Sequence, residues 1–228
     1  MTSNQVRPLL TPVSANGAWH DIAIIGGSRE DDGALAAGFI KAAEVLTEHW
    51  EAHRPNDRLA LPILANYRHG IELALKDGIR TAAVCAARDG VDDPALDPMK
   101  LNADLASTHS IGRLVEKLTA VLNQLELGEA RRFPPDVLEV LHSLHVLDET
   151  GQNFRYATVK FGAGKARKLV AARPDQVHFD LSAAAAVLHG AATILLNGVS
   201  GVLDSYSQYQ DDLQERRDEY SSYYDYPI

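Results

Sequence analysis

The side chains best suited to chemistry in this chain are an arginine, a glutamate and a lysine. Arg68, Glu72 and Lys76 follow one another at four-residue intervals in the stretch YRHGIELALK. At this spacing an arginine and a glutamate can form an ion pair on one helix face. The same face carries the apolar residues that should meet a core, so the pair is predicted to be buried. An unpaired buried arginine is strongly destabilising, so a polar cluster inside a helical bundle is expected.

This cluster has two interpretations that the residues leave open. It is either a buried ion pair that only fixes packing, or a working or ligand-binding site. Histidine titrates near neutral pH, so His69, His109 and His178 are candidates for acid–base work. The guanidinium groups of Arg68 and Arg155 can bind phosphate in a fork geometry. We take His109, His69 and Arg155 as the candidate catalytic residues.

Neither a metal site nor a cofactor site is indicated by the sequence. The nine histidines form no Cys/His cluster, and Cys85 is the single cysteine. His142 and His145 share a face of a leucine-rich helix, which is typical of a structural pair. The apolar run before Gly26 and Gly27 resembles a strand entering a phosphate loop. It lacks the full glycine fingerprint, however, and no Lys-Ser/Thr follows it.

The elements that must position these residues are helices. Apolar residues recur at helical spacing in several long segments, and NFRYATVKFG alternates like a strand. We therefore predict an all-α helical bundle of four to five main helices, with a small β-hairpin insertion near 150–180. Ser28 or Asp31 is expected to cap the first helix, and Ser107 or Thr108 the third. The stretch DGVDDPALDPMK is interpreted as a loop, and RKLV or VHFDL as the second strand.

Length and composition suggest one main domain. The 228 residues suffice for a sizeable core. We predict an N-terminal arm over 1–30, a single helical domain over 31–205, and an acidic, tyrosine-rich C-terminal tail over 206–228. The tail is interpreted as a helix end that frays into solvent. Alternatively, it docks on a basic patch or on a neighbouring subunit.

Charge and cysteine content limit the expected partners. A net charge of −9 disfavours a large nucleic-acid surface, so an RNA site would need a local basic patch. A single cysteine fits a reducing, cytoplasmic setting, and the N-terminus lacks the apolar core of a signal peptide. Polar residues interrupt the longest apolar stretch, near 183–203, so no membrane partner is predicted.

The stretches that carry the candidate residues together resemble a known superfamily. A helix with YRHGIELALK, a later helix that begins near THSIGRLVEKL, and the segment LDETGQNFRY are similar to HEPN domains (higher eukaryotes and prokaryotes nucleotide-binding domains). The resemblance covers about 60–160. It implies a four- or five-helix bundle that often dimerises through its site. In active members it implies a metal-independent endoribonuclease.

One departure from that superfamily bears on activity. Active HEPN ribonucleases carry an arginine, four to six intervening residues and then a histidine. The one match in this chain is Arg173 and His178 in RPDQVH, where Pro174 replaces the usual polar residue. These two residues are an alternative catalytic pair.

Two functions follow from the resemblance. One is a ribonuclease or toxin of a phage-defence or toxin–antitoxin system. The other is a non-catalytic HEPN-like module that binds a nucleotide, RNA or a protein partner from the same operon. An intact pair of arginine and histidine facing a symmetric cleft would favour the first, and a cluster closed by packing the second. The most informative observation is whether Arg68, His69, His109 and Arg155 converge on an open cleft. A homodimer is predicted from the resemblance and from the small residues of the segment 181–203.

Overall fold

The computed structural model describes residues 23, 25, 30–161 and 168–224 of the chain. Contacts divide the chain after Glu30, and the described helices and strands all belong to 31–228. The predicted arm over 1–30 lies almost wholly outside the described residues. The tip of the predicted hairpin and the last four residues of the tail also lie outside them.

The architecture is the predicted all-α bundle with one small β-hairpin. The helix α2 lies at its centre, and α1, α4, α6 and α7 all pack against it. A helix surrounded in this way buries most of its circumference, and residues on every side of α2 are buried. The helices are α1 (Asp32–Ala52), α2 (Ala60–Arg88), α3 (Pro98–Ser107), α4 (Ile111–Leu122), α5 (Pro135–Leu147), α6 (Leu181–Thr193) and α7 (Ser200–Tyr224).

Helix caps account for several of these boundaries. The Asp31 carboxylate accepts a hydrogen bond from the Ala34 backbone N–H at 2.7 Å and caps α1, so Asp31 is the correct one of the two predicted caps. The prediction of a loop over DGVDDPALDPMK was wrong at its end, because α3 begins there. Asp97 caps α3, and Pro98 occupies its first turn, where a missing N–H costs nothing.

The cap predicted for the third helix was also wrong, and this changes the position of His109. Thr108 ends α3, and its hydroxyl donates to the Asp104 carbonyl at 2.8 Å. Ser110 caps α4 instead, accepting from the Arg113 N–H at 3.4 Å. His109 therefore lies in the short connection between two helices rather than inside one.

The hairpin consists of β1 (Thr158–Phe161) and β2 (Lys168–Ala171). The two strands are antiparallel, with Thr158 opposite Ala171 and Phe161 opposite Lys168. RKLV, and not VHFDL, supplies the partner strand. The residues 148–157 join α5 to this hairpin.

The last helical region is longer than predicted. A π-helical stretch, Ile194–Val199, joins α6 to α7, and α7 continues to Tyr224 through the segment predicted as a tail. Arg88 holds the start of that segment by donating to the Ser207 hydroxyl at 2.8 Å. By length and composition alone, Leu181–Tyr220 is apolar enough to cross a membrane. Its leucines at 188, 195 and 203 nevertheless lie in the core of the bundle.

Candidate functional site

The centre of α2 carries charged side chains that are almost completely buried. Arg68 is 4% exposed, Glu72 2% and Lys76 6%. Arg68 Nη1 donates to Glu72 Oε2 at 2.7 Å, and Lys76 Nζ donates to Glu72 Oε1 at 2.9 Å. The helical spacing thus places all three groups in one chain of contacts, with the carboxylate between the two cations.

Arg68 also connects this helix to two distant segments. Its Nη2 donates to the His109 carbonyl at 2.5 Å, and its Nε donates to the Asp148 carbonyl at 3.3 Å. The Asp148 carboxylate oxygen Oδ2 lies 3.1 Å from the same Nε. Asp148 Oδ2 accepts no hydrogen bond, so this second contact is electrostatic. Every nitrogen of the guanidinium group is used inside the protein.

Asp148 is the member of the cluster that sequence reasoning missed. It is 0% exposed, and its Oδ1 accepts the backbone N–H of Asn153 at 2.9 Å. Charge balance offered a signal, since Glu72 alone does not neutralise both Arg68 and Lys76. A second buried acid was therefore required, and Asp148 lies in the stretch LDETGQNFRY.

The segment after α5 crosses directly over Arg68 because of one glycine. Gly151 has a φ of +74°, in the region that disfavours residues with a Cβ. A Cβ there would lie 2.9 Å from the guanidinium atoms of Arg68. The Gly151 carbonyl accepts a hydrogen bond from Arg155 Nε at 2.6 Å. Arg155 was predicted in a strand, but it lies in a turn before β1 and is exposed.

His109 lies between the buried cluster and solvent. Its Nδ1 is 2.9 Å from Glu72 Oε1, whereas its side chain is 54% exposed. Burial alone would raise the pKa of Glu72, but hydrogen bonds from Lys76, His109 and Arg68 outweigh burial and lower this pKa. Glu72 is therefore an anion that accepts a proton-bearing Nδ1, which leaves the other ring nitrogen, Nε2, to exchange a proton.

His69 lies at the same site in a different environment. Its ring packs edge-on against Phe39, with ring centroids 4.3 Å apart. Burial lowers the pKa of His69, and the nearby cations Arg155 and Arg68 lower it further against the opposing effect of Glu72. His69 is consequently neutral at pH 7, and it can accept or donate a hydrogen bond without carrying charge.

These groups surround a small cavity of about 50 Å³. That volume holds only a few water molecules, and it is too small for a nucleobase. Exposed residues reach the cavity only at its mouth, where His109 and Arg155 lie. The residues that line it are Ala65, Arg68, His69, Glu72, His109, Asp148, Gly151, Phe154 and Arg155.

The alternative catalytic pair does not reach this cavity. Arg173 and His178 follow β2 and are both exposed, and neither lines the cavity. Arg173 Nη1 donates to the Tyr156 carbonyl at 3.3 Å. Its observed role is therefore to tie the segment after β2 to the turn before β1.

One histidine pair was not predicted from the sequence. His49 and His53 lie four residues apart near the end of α1, and their rings stack with centroids 4.2 Å apart. Such spacing can hold a metal ion when an acid completes the set. Over the residues that the structure describes, no group of three or more potential metal ligands is found.

The site thus combines a buried anion, an exposed histidine attached to it and an exposed arginine around one small cavity. Its chemistry has to be inferred from these residues alone. Comparison with protein-family models, with curated proteins and with solved structures finds no match to the chain.

Proposed function

We propose that the chain is a HEPN-like protein that binds a phosphate of RNA at the mouth of this cavity and cleaves the strand without a metal ion. The observation that carries the proposal is the pair of Glu72 and His109. A buried carboxylate that fixes one ring nitrogen of an exposed histidine leaves the other nitrogen as a general base. No other described histidine contacts a buried acid in this way.

The charges of the site suit a single phosphate. Arg68, Lys76 and Arg155 supply three positive charges, whereas Glu72 and Asp148 supply two negative ones. The excess of positive charge is local, because the chain as a whole has a net charge of −9. A long nucleic-acid footprint would meet repulsion elsewhere, so the proposed ligand is a single-stranded segment held mainly at one phosphate.

The reaction that these residues can support is attack by a ribose 2′-hydroxyl on the adjacent phosphorus. His109 Nε2 takes the hydroxyl proton, the new O–P bond forms, and the bond to the 5′-oxygen breaks. The leaving oxygen takes a proton from solvent, so the products are a cyclic 2′,3′-phosphate and a 5′-hydroxyl. Arg155 would bind the negative charge that develops on phosphorus, and His69 would hydrogen-bond the substrate.

The HEPN-like assignment is supported by the way three separate stretches meet. YRHGIELALK supplies Arg68, His69 and Glu72, and the segment THS before α4 supplies His109. The stretch LDETGQNFRY supplies the loop that closes the cavity. These are the same stretches that carry the resemblance, although they lie far apart in the chain.

A second candidate function is favoured by the closure of the cluster. Every guanidinium nitrogen of Arg68 already has a partner inside the protein, and the cavity excludes a base. A non-catalytic HEPN-like module would need only the exposed rim, His109 and Arg155, to bind a nucleotide, RNA or a protein partner. The two candidates differ in whether RNA is cut.

Incubation of the purified protein with total RNA in the presence of EDTA tests the proposal. The wild type should cleave, and His109→Ala should reduce the rate by at least about 100-fold, the usual contribution of a general base. His142→Ala is the matched control, because His142 is exposed on α5 and lies outside the cavity. His178→Ala tests the alternative pair and should leave the rate unchanged.

The outcomes separate the two functions. Thermal melts must first show that the His109→Ala protein is folded. A folded wild type that retains a labelled oligoribonucleotide without cutting it would contradict the ribonuclease and support the binding module. If it neither cuts nor retains RNA, both RNA proposals fail.

A further inference from the structure

The long helical region α6–α7 exposes an apolar surface that nothing within the described part of the chain covers. Its most apolar 18-residue window has a mean hydropathy of 1.6, yet only 33% of that window is buried. Val187 is 53% exposed, Ile194 37% and Tyr209 55%. A contiguous exposed apolar surface of this kind marks an interaction site more often than a neutral surface.

This surface forms one wall of a groove. The other wall is the connection between α4 and α5, from Glu126 to Pro134. Two cavities of about 160 and 690 Å³ lie in it, and both are lined by Ala130, Gly198 and Val202, so they are continuous. We call it the α6–α7 groove, and its main apolar residues are Leu127, Phe133, Ile194, Val202 and Tyr209. It shares no residue with the candidate site.

Two glycines line the groove at positions where the described residues would leave room for a larger side chain. A Cβ at Gly201 would meet nothing within 4 Å, and a Cβ at Gly198 would meet only the Ile194 side chain, at 3.7 Å. Glycine inside a helix costs about 1 kcal/mol relative to alanine. No contact in the described part of the chain requires these glycines, whereas close approach of a second helix would.

We propose that a second copy of this chain occupies the groove, with the two α6–α7 helices antiparallel around a two-fold axis near Gly201. This inference is independent of the proposed function. The two-fold places the Gly198–Gly201 stretch of each copy against the same stretch of the other. Tyr209 of each copy then enters the part of the groove between Phe133 and Ile194 of the other.

Charge complementarity favours a second copy over other occupants. Arg131 lines one end of the groove, and Asp212 lies about 16 Å along the helix from Gly201, one heptad after Ser205 on the same stripe. Neither has an ion-pair partner within the part of the chain that the structure describes. An antiparallel two-fold brings Arg131 of each copy towards Asp212 of the other, as an isologous interface requires.

The polarity of the groove disfavours a membrane. Glu126, Arg131 and Arg132 all contribute to its lining, and charged groups are costly in a bilayer core.

The mass of the full-length protein, measured by light scattering and by sedimentation over a micromolar concentration series, tests this inference. The wild type should be a dimer. Gly201→Glu should raise the dissociation constant at least tenfold, because the two-fold axis brings two carboxylates together. Gly38→Glu is the matched control: Gly38 also lies in a helix with nothing within 4 Å of its Cβ, but on α1. It should remain dimeric.

A charge exchange tests the predicted geometry. Arg131→Asp and Asp212→Arg should each weaken the dimer, and the double variant should recover most of the wild-type affinity. A monomeric wild type at high micromolar concentration would overturn the inference, as would a Gly201→Glu protein that dimerises like the control. The inference would also be overturned if the wild type sediments with phosphatidylglycerol vesicles and Gly201→Glu abolishes this binding. That result would assign the groove to lipid.

Discussion

The central helix α2 and the long helical region α6–α7 invert the usual distribution of polar and apolar residues. α2 carries Arg68, Glu72 and Lys76 in its middle and buries all three, whereas the first half of the α6–α7 region is more apolar than α2 and leaves much of its surface uncovered. The difference shows that position in the bundle, and not the average polarity of a helix, decides burial. Buried charges and exposed apolar surfaces are the informative exceptions to ordinary burial.

The two regions also differ in whether their side chains find contacts within the chain. Each of the three buried charges of α2, Arg68, Glu72 and Lys76, finds an opposite charge within the chain, so the cluster is complete without any partner. The apolar face of α6–α7 stays exposed within the described part of the chain. Substitutions should therefore destabilise the fold in the first region and change assembly in the second.

The largest effect is expected at Arg68. Arg68→Ala should lower the free energy of unfolding by about 3 kcal/mol, because Asp148 stays buried without its cation and Glu72 keeps only Lys76. Glu72→Gln should cost less, since the amide oxygen still accepts a hydrogen bond. Urea denaturation measures both, and Arg113→Ala on the exposed side of α4 is the control. An unchanged midpoint for Arg68→Ala would show that the cluster adds no stability.

The next largest effect is expected at Leu195, compared with its neighbour Ile194. Leu195 is 2% exposed and Ile194 37% exposed, although they are adjacent. Leu195→Ala should cost at least about 2 kcal/mol, because it leaves a cavity in the core. Ile194→Ala should cost clearly less in the monomer but weaken the dimer. Thermal melts at low protein concentration measure the stability of the monomer. Equal losses for the two substitutions would contradict this prediction.

A smaller effect is expected at Gly151. Gly151→Ala and Gly90→Ala both place a Cβ on a residue with positive φ, at +74° and +79°. Only the Cβ at position 151 would meet a side chain, the Arg68 guanidinium at 2.9 Å. We expect Gly151→Ala to cost about 1 kcal/mol more than Gly90→Ala, a typical strain for a displaced buried group. Equal costs in parallel urea titrations would mean that the loop moves off Arg68 without penalty.

Local patterns in the sequence predicted the features that depend on neighbouring residues. The four-residue spacing of Arg68 and Glu72 predicted their contact, and the apolar stripe predicted that α2 is buried. The stretch RKLV was correctly named as one of two possible partner strands. Each of these depends on residues within one or two turns, or on a short hairpin, where chain geometry leaves few alternatives.

The features that were not predicted are of two kinds. Some depend on contacts between residues that are far apart in the chain, and others on local patterns that fit more than one structure. Asp148 lies 80 residues from Arg68, and nothing local indicates their contact. The start of α3 was missed because Asp97 and Pro98 were interpreted as loop residues, although an aspartate before a proline is also a typical helix start. The glycines of the α6–α7 groove were noticed, but the wall formed by the α4–α5 connection was not predictable from them.

The partners of Arg68 have a consequence for the order in which the chain is made. His109 lies 41 residues after Arg68, and Asp148 lies 80 residues after it. A ribosome releases the chain from the N-terminus, so Arg68 emerges long before either partner. Until α5 and the segment after it have been synthesised, the only contacts of this arginine inside the cluster are with Glu72 in its own helix. The cavity is therefore assembled late, and a nascent chain that stops before Asp148 carries the proposed catalytic histidine without the loop that completes its surroundings.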